Sequence, residues 1–172
     1  MTLARLRRLW GRREWARIQL GDPVPDVSAL EVVGDPGDPR VAEVVALAAG
    51  RGIEITLVSA TLPDARVSFS LVQSGLPRLR LPVSGPTDEL AFRCAEKLVA
   101  MRDANRKTGP KVELGLRVGT DVTPLLALIA VCEARFTDIE PWVEADGTDL
   151  SEARRRAKRA GFGRTVESIG RG

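Results

Sequence analysis

Two loops of similar sequence carry the carboxylates that are best placed for chemistry. VGDPGDP occupies residues 33–39 and VGTDVTP residues 118–124, so valine, glycine and proline recur at a constant offset of 85 positions. Carboxylate oxygens bind hard cations such as Mg²⁺. If the loops lie side by side, Asp35, Asp38 and Asp121 could bind such an ion or a small molecule. The alternative is that these residues only form turns and helix caps, which Asp, Gly and Pro do in most proteins.

Other site chemistries find less support in the sequence. The acidic loops lack the GxxxxGK[ST] and GxGxxG patterns of phosphate binding. The chain has no histidine, so a nucleophile would need a lysine or a carboxylate as its base. Cys94 and Cys132 lie in apolar helical patterns without the spacing of metal ligands, which is typical of buried, reduced thiols. We therefore predict a protein without a dedicated metal site, without a cofactor and without catalysis.

The net charge of +3 conceals two basic ends around an acidic centre. Residues 1–20 contain six arginines and one glutamate, and residues 151–172 contain seven basic and two acidic side chains. The intervening residues therefore carry a net charge of −7. We divide the chain into a basic amphipathic arm (1–20), an α/β domain (21–148) and a basic helical tail (149–172).

The basic arm could dock on another surface. Leu3, Leu6 and Trp10 recur at helical spacing among arginines, and Trp15 follows. This composition suits an anionic membrane surface or an acidic protein partner. The alternative is a solvated or self-packed helix whose tryptophans cover the domain.

The basic tail and the overall hydropathy exclude two classes of protein. EARRRAKRAGFGR lacks the aromatic residues that stack on bases, so we expect no specific recognition of nucleic acid. No segment has the roughly 20 apolar residues of a transmembrane helix or the apolar run of a secretory signal. The chain as given is therefore expected to be cytoplasmic, with peripheral membrane association through the arm as an option.

The two loops belong to a longer repeat. Residues 27–60 align with residues 112–145 without a gap, with 8 identities in 34 positions. In each copy a valine- and leucine-rich strand leads through the loop into an apolar helix and then a second strand. Asp38 and Thr123 are placed as N-caps before a proline at the first helical position. The pattern predicts two β-α-β units, the second ending in an edge strand because Pro141 cannot donate a ladder hydrogen bond.

Between the copies we predict a β-hairpin and a helix. VSFSL and RLRL alternate apolar with polar residues around QSG, which is typical of a hairpin with one wet face. TDELAFRCAEKLVAM has a cap, early acids and an apolar stripe, so it predicts a helix. A polar helix is predicted at about residues 150–160. The predicted fold is α/β, a two-layer sandwich of a mixed sheet with helices mainly on one face and an internal β-α-β duplication.

Residues 66–145 resemble the soluble domain of the ExbD/TolR family of biopolymer-transport proteins. The resemblance rests on VELGLRVGTDVTPLLALIAVCEARFTDIEPWVE, in which Asp121 takes the place of the family's aspartate and residues 125–135 that of its hydrophobic helix. The family's transmembrane helix and its proton-coupling aspartate are absent from this sequence. The resemblance therefore implies a non-catalytic interaction or scaffold module, with a protein partner or a homodimer. The alternative is a small-molecule or cation-binding α/β domain, with or without catalysis, that uses the paired loops.

Overall fold

The fold is known from a computed structural model, which describes residues 14–145 and 149–162. These residues form eleven helices and strands, each type numbered in chain order. The strands are β1 (Trp15–Gln19), β2 (Ala29–Gly34), β3 (Glu54–Ser59), β4 (Arg78–Pro82), β5 (Lys111–Val118) and β6 (Ile139–Ala145). The helices are α1 (Arg40–Gly50), α2 (Ala65–Gln73), α3 (Glu89–Ala104), α4 (Thr123–Arg135) and α5 (Ser151–Arg159).

The six strands form one parallel sheet in the order β1-β2-β3-β4-β5-β6. The prediction of an α/β fold is confirmed, and the prediction of a mixed sheet is wrong. Every strand pairs with its successor in the chain, and from β2 onwards each pair is joined by a helix. Because such crossovers are right-handed, the helices share one face of the sheet. β6 is an edge strand of this sheet, as Pro141 predicts.

Side-chain alternation along the strands separates an apolar face from a polar face. Residues such as Leu30, Ile55 and Leu79 are at most 1% exposed and pack with the buried positions of the helices in one core. The residues between them, among them Glu31 and Arg80, point to the opposite face. The helices therefore cover one face, and polar side chains occupy the other.

The predicted hairpin is wrong, because its first strand is α2. The Asp64 carboxylate accepts a hydrogen bond from the Val67 backbone N–H, as an N-cap does. Gly75 has a φ of +78° and follows the helix end. This conformation, which favours glycine, ends helices as readily as it forms hairpin turns. The second half of the proposed hairpin is a strand, β4, as predicted.

The two β-α-β units of the repeat are present, as β2-α1-β3 and β5-α4-β6. Their loop glycines differ in role. A Cβ added to Gly34 would lie 2.6 Å from the Cβ of Leu20, so glycine allows the segment after β1 to pass closely. An added Cβ at Gly119 would meet nothing within 4 Å. The repeat therefore preserves the β-α-β plan, while the packing reason for its glycine applies to one copy only.

The sheet is strongly curved, with its polar face on the concave side. Arg17 of β1 lies 2.7 Å from Glu144 of β6, although these strands are the two ends of the strand order. Five steps between neighbouring strands span about 24 Å in a flat sheet, beyond the reach of two side chains. The sheet therefore curls into a partial barrel with helices outside, and an open seam separates β1 from β6. None of the helices in the described residues has the length and apolar character that crossing a membrane requires.

Candidate functional site

The loop aspartates of the first copy lie at the entrance to α1. Asp35 accepts a hydrogen bond from the backbone N–H of Gly37 at 2.9 Å. Asp38 accepts one from the backbone N–H of Arg40 at 2.9 Å and also binds the Arg40 guanidinium. The side-chain hydrogen bond from Arg40, followed by its backbone hydrogen bond, lowers the pKa of Asp38 to about 2. Both carboxylates are thus engaged in the local turn, and the prediction of Asp38 as the N-cap of α1 is wrong, because the N-cap is Pro39.

Asp121 of the second copy has the same kind of role. It accepts a hydrogen bond from the backbone N–H of Thr123 at 2.9 Å, and this bond, with one from the Thr123 hydroxyl, lowers the pKa of Asp121. The N-cap of α4 is Val122 and not Thr123. Three further helices begin in a similar way, with aspartates that accept backbone N–H bonds at their first turns: Asp64, Asp88 and Asp149.

The two loops are not neighbours. They leave the sheet after β2 and β5, and β3 and β4 lie between these strands. In the described parts of the chain no three or more carboxylate, thiol or imidazole side chains are grouped so that they could bind a metal. The role of Asp35, Asp38 and Asp121 in ligand binding stays a prediction, and their observed backbone contacts are those of turns at the helix entrances.

Most of the predicted docking surface of the arm lies outside the described residues. This applies to Leu3, Leu6 and Trp10. Trp15 is the first residue of β1 and is 41% exposed, so the end of the arm is a strand of the sheet. Docking on a membrane or a protein partner through residues 1–20 stays a prediction.

The concave face carries a buried ionic cluster centred on Arg80. Its Nη2 donates to Glu31 at 2.8 Å and its Nε to Glu113 at 3.1 Å. Its guanidinium carbon lies 3.6 Å from the centre of the Trp142 ring. Arg80 and Glu113 are 2% exposed and Glu31 is 4% exposed. Burying charges is costly unless they are paired, and this cluster pairs them across three strands.

Arg80 retains one donor group without an acceptor. Its Nη1 is buried and donates to no acceptor among the described residues. A buried neutral donor that is left without an acceptor costs roughly 1 to 3 kcal/mol, and a donor of a charged group costs more. The interior of the partial barrel therefore favours an additional oxygen acceptor close to Arg80.

Beside this cluster, three charged residues form what we call the mouth triad: Arg117 and Glu144, near the carboxyl ends of β5 and β6, and Arg17, in the middle of β1. Glu144 lies 2.7 Å from Nη1 of Arg17 and 3.3 Å from Nη2 of Arg117. The side chains of Arg17 and Glu144 are 35% and 26% exposed, and that of Arg117 is 83% exposed. One carboxylate thus stands between two arginines where the seam opens to solvent.

The electrostatics of Glu144 are set by its arginines. Burial alone raises the pKa of its carboxyl, but hydrogen bonding and charge from Arg17, then Arg117 and the charge of Arg80, outweigh burial and leave the pKa lowered. Glu144 is therefore ionised at neutral pH and acts as the internal anion of the mouth triad.

The thiols are poorly suited to nucleophilic chemistry. Both cysteines are free, as the apolar patterns predict. Burial raises the pKa of Cys94, and it raises that of Cys132, with a contribution from Glu140, to about 12. Reactivity depends on the thiolate, so neither side chain is activated.

The charged residues of the concave face were not identified from the sequence. Their signal was present as charges alternating with apolar residues in RLRLP, VELGLRV and IEPWVE. Alternation shows which side chains share a face, and in RLRL it predicts the wet face of a hairpin, whereas Arg80 of that stretch is buried. What it cannot show is that the sheet curls and brings Arg17 and Glu144 together from opposite edges.

Comparison with known proteins does not assign the chain to a family. No family model matches the chain, and no curated protein matches it. Among solved structures, the chain superposes on Streptococcus suis SuiB bound to S-adenosylmethionine with a TM-score of 0.48 and 14% identity over 81% of its length. It spans 35% of SuiB. Similarity at this level carries no argument about what the chain binds.

The resemblance to the ExbD/TolR soluble domain is wrong. It requires two strands in succession from residue 66, whereas the chain forms α2 and then β4, within a sheet that is parallel throughout. No family model matches the chain, so the family comparison does not support the resemblance either. The interaction or scaffold function inferred from the resemblance is corrected with it.

Proposed function

We propose that this protein binds a small carboxylate at the carboxyl mouth of its partial barrel, through the mouth triad. The observation that carries the proposal is the position of Glu144 between Arg17 and Arg117 at the open seam. In α/β sheets and β/α barrels, ligands bind beyond the carboxyl ends of the strands. The function is thus that of a small-molecule-binding α/β domain.

Glu144 indicates the chemical class of the ligand. It is itself a carboxylate held by two arginines, a geometry that arginine recognises through its fork of donors. A ligand carboxylate could take its place on Arg117, whose side chain is 83% exposed and contacts Glu144 at the longer distance of 3.3 Å. Arg17 would then retain Glu144 and keep the seam together.

The buried cluster supports this role from below. Arg80 lies against Trp142 and is held by two carboxylates, so its position is fixed before any ligand binds. Its charge also acts on Glu144. A floor whose side chains are already fixed lowers the ordering cost of ligand binding, and because Arg80 is outnumbered by its two carboxylates, the positive charge for an anion comes from Arg117.

The expectation of a protein without catalysis is not part of this proposal. A small-molecule site at the carboxyl ends of β/α barrel strands is also where enzymes of that architecture place their reacting groups. Homodimerisation and a protein partner stay predictions from the sequence.

The test is to titrate the protein with malonate and acetate and follow amide chemical shifts by NMR. Replacing Glu144→Gln removes the internal anion, so the affinity for malonate should rise about three- to fivefold, the effect of an exposed ion pair worth up to about 1 kcal/mol. Replacing Arg117→Gln removes the exposed cation, so the affinity should fall by a similar factor.

Glu133→Gln is the matched control. Glu133 is exposed on α4 and forms no ion pair within the described residues, so this variant changes the net charge equally. It should bind malonate as the unmodified protein does. Equal affinities for the Glu144→Gln and Glu133→Gln variants would contradict the proposal, because the gain would then be a general charge effect.

A further inference from the structure

A second candidate site lies at the opposite end of the sheet. A cavity of about 340 Å³ opens where β3, β4 and β5 begin. Its charged lining consists of Arg78, Lys107, Lys111 and Glu54, and we call it the amino-end cleft. Three basic side chains against one acidic side chain give it a local charge of +2. Its volume falls within the range of small-molecule sites.

The basic residues of the amino-end cleft differ in whether they already form ion pairs. Arg78 is held by Glu54 at 2.9 Å and lies 3.9 Å from Glu113. Lys107 and Lys111 are exposed and form no ion pair with a carboxylate of the described residues. The two lysines therefore supply the uncompensated charge.

The backbone holds this cleft in shape. The Lys111 N–H donates to the Pro77 carbonyl at 2.9 Å, and the Lys107 N–H donates to the Arg102 carbonyl at 3.0 Å. A Cβ added to Gly109 would lie 2.6 Å from the Leu76 carbonyl oxygen, so glycine permits the close approach of the two walls. Both lysines are thus anchored at their backbones, and only their side chains need to be ordered by a ligand.

A neighbouring cavity differs from the amino-end cleft in the charge of its lining. It measures about 350 Å³ and shares Arg78 and both lysines with the amino-end cleft. There the basic residues, which include Arg102, are matched in number by four acidic ones. Arg102 itself is paired with Asp103 and Asp138. The shared cations therefore outnumber the acidic lining residues only on the side of the amino-end cleft, where Glu54 is the acidic residue of the lining.

We propose that the amino-end cleft binds a phosphate dianion, free or as the phosphate group of a small molecule, through Lys107 and Lys111 beside Arg78. A phosphate monoester carries a charge of about −1.5 to −2 at pH 7, which complements the local charge of +2. Thr108 lines the cleft and can donate from its hydroxyl. This site is independent of the mouth triad.

The test is a titration of the full chain with inorganic phosphate, followed by NMR at pH 7.5 and pH 5.5. Saturable shifts are expected around residues 107–111 and 75–78. The affinity should fall about tenfold in the double variant Lys107→Gln/Lys111→Gln, since each exposed ionic contact is worth up to about 1 kcal/mol. It should also fall at pH 5.5, where phosphate loses its second charge, while sulfate binding should not.

Two controls make the outcome decisive. The double variant Lys97→Gln/Lys158→Gln removes the same charge outside the amino-end cleft and should retain phosphate binding. Arg117→Gln should also retain it, so a failure of the mouth triad is distinguishable from a failure here. Equal losses in both lysine double variants, or shifts that do not saturate, would overturn the proposal.

Discussion

At the scale of single residues, the charged side chains of this protein have two distinct roles. The aspartates at the helix entrances bind backbone N–H groups of their own turns, as Asp64 and Asp121 do. The charged residues on the concave face bind across strands, as Arg80 does with Glu31. Local sequence context indicates the first role, because a cap and its helix are adjacent in the chain. The second role depends on strand order and curvature, which local context does not contain.

The lowered pKa of Glu144 predicts how stability changes with pH. Its pKa in the folded protein is below the ordinary value of 4.5, so the ionised form contributes stability that is complete above that value. This contribution is lost as the pH falls through the folded pKa. The stability difference between the protein and its Glu144→Gln variant should therefore shrink between pH 6 and pH 3.

Urea denaturation at a series of pH values measures this difference directly. The Glu133→Gln variant again serves as the control, because its side chain forms no ion pair within the described residues. A stability difference for Glu144→Gln that stays constant down to pH 3 would show that its arginine contacts do not stabilise the folded state.

At the scale of helices and strands, the sequence correctly predicted the elements whose apolar pattern fits only one type of secondary structure. VSALEVV and KVELGLRV were correctly predicted as strands, and the helices that follow them were also correct. The stretch VSFSLVQ was wrongly predicted as a strand, because a run of only five alternating residues is also compatible with a helix that buries one face. In α2 the buried positions are Ser68, Leu71 and Val72, with i to i+3 and i+4 spacing, and Phe69 is 50% exposed. The missed signal was Asp64, an N-cap three residues before Val67.

The N-cap of α2 gives a prediction at this scale. Asp64→Ala removes the acceptor for the Val67 N–H, which should lower the free energy of unfolding by about 1 kcal/mol. Asp26→Ala replaces an exposed aspartate that accepts no hydrogen bond from the described residues and should change it by less than about 0.5 kcal/mol. Urea denaturation compares the two. Equal effects would mean that the Asp64 cap contributes nothing specific to α2.

At the scale of the whole molecule, one rule of connection explains both candidate sites. Each strand pairs with the strand that precedes it in the chain, so the helices accumulate on one face and the sheet curls away from them. The curl places Arg17 of β1 beside Glu144, near the carboxyl end of β6, and encloses the charges around Arg80. At the amino ends it leaves the loop at residues 105–110 to form one wall of the cleft. The sequence predicted the layers of this fold, and the curvature had no local signal.

The seam between β1 and β6 gives a prediction about the molecule as a whole. Arg17 and Glu144 are 127 positions apart in the chain, and their side chains join the two edges of the sheet at 2.7 Å. In a double-mutant cycle of Arg17→Ala and Glu144→Ala, we expect a coupling energy of about 0.5 to 1 kcal/mol, because the pair is only partly exposed. The cycle also removes the separate effect of the 4.0 Å contact between Arg17 and Glu31.

Urea denaturation of the four proteins measures that coupling, and a cycle of Arg93→Ala with Glu133→Ala provides the reference. Those two exposed residues form no ion pair with each other, so their effects should add within about 0.5 kcal/mol. Raising the salt concentration should weaken the Arg17–Glu144 coupling, since partly exposed charges are screened. If the coupling is zero at low salt, the sheet keeps its curvature without this pair, and backbone pairing and helix packing alone hold the seam edges together.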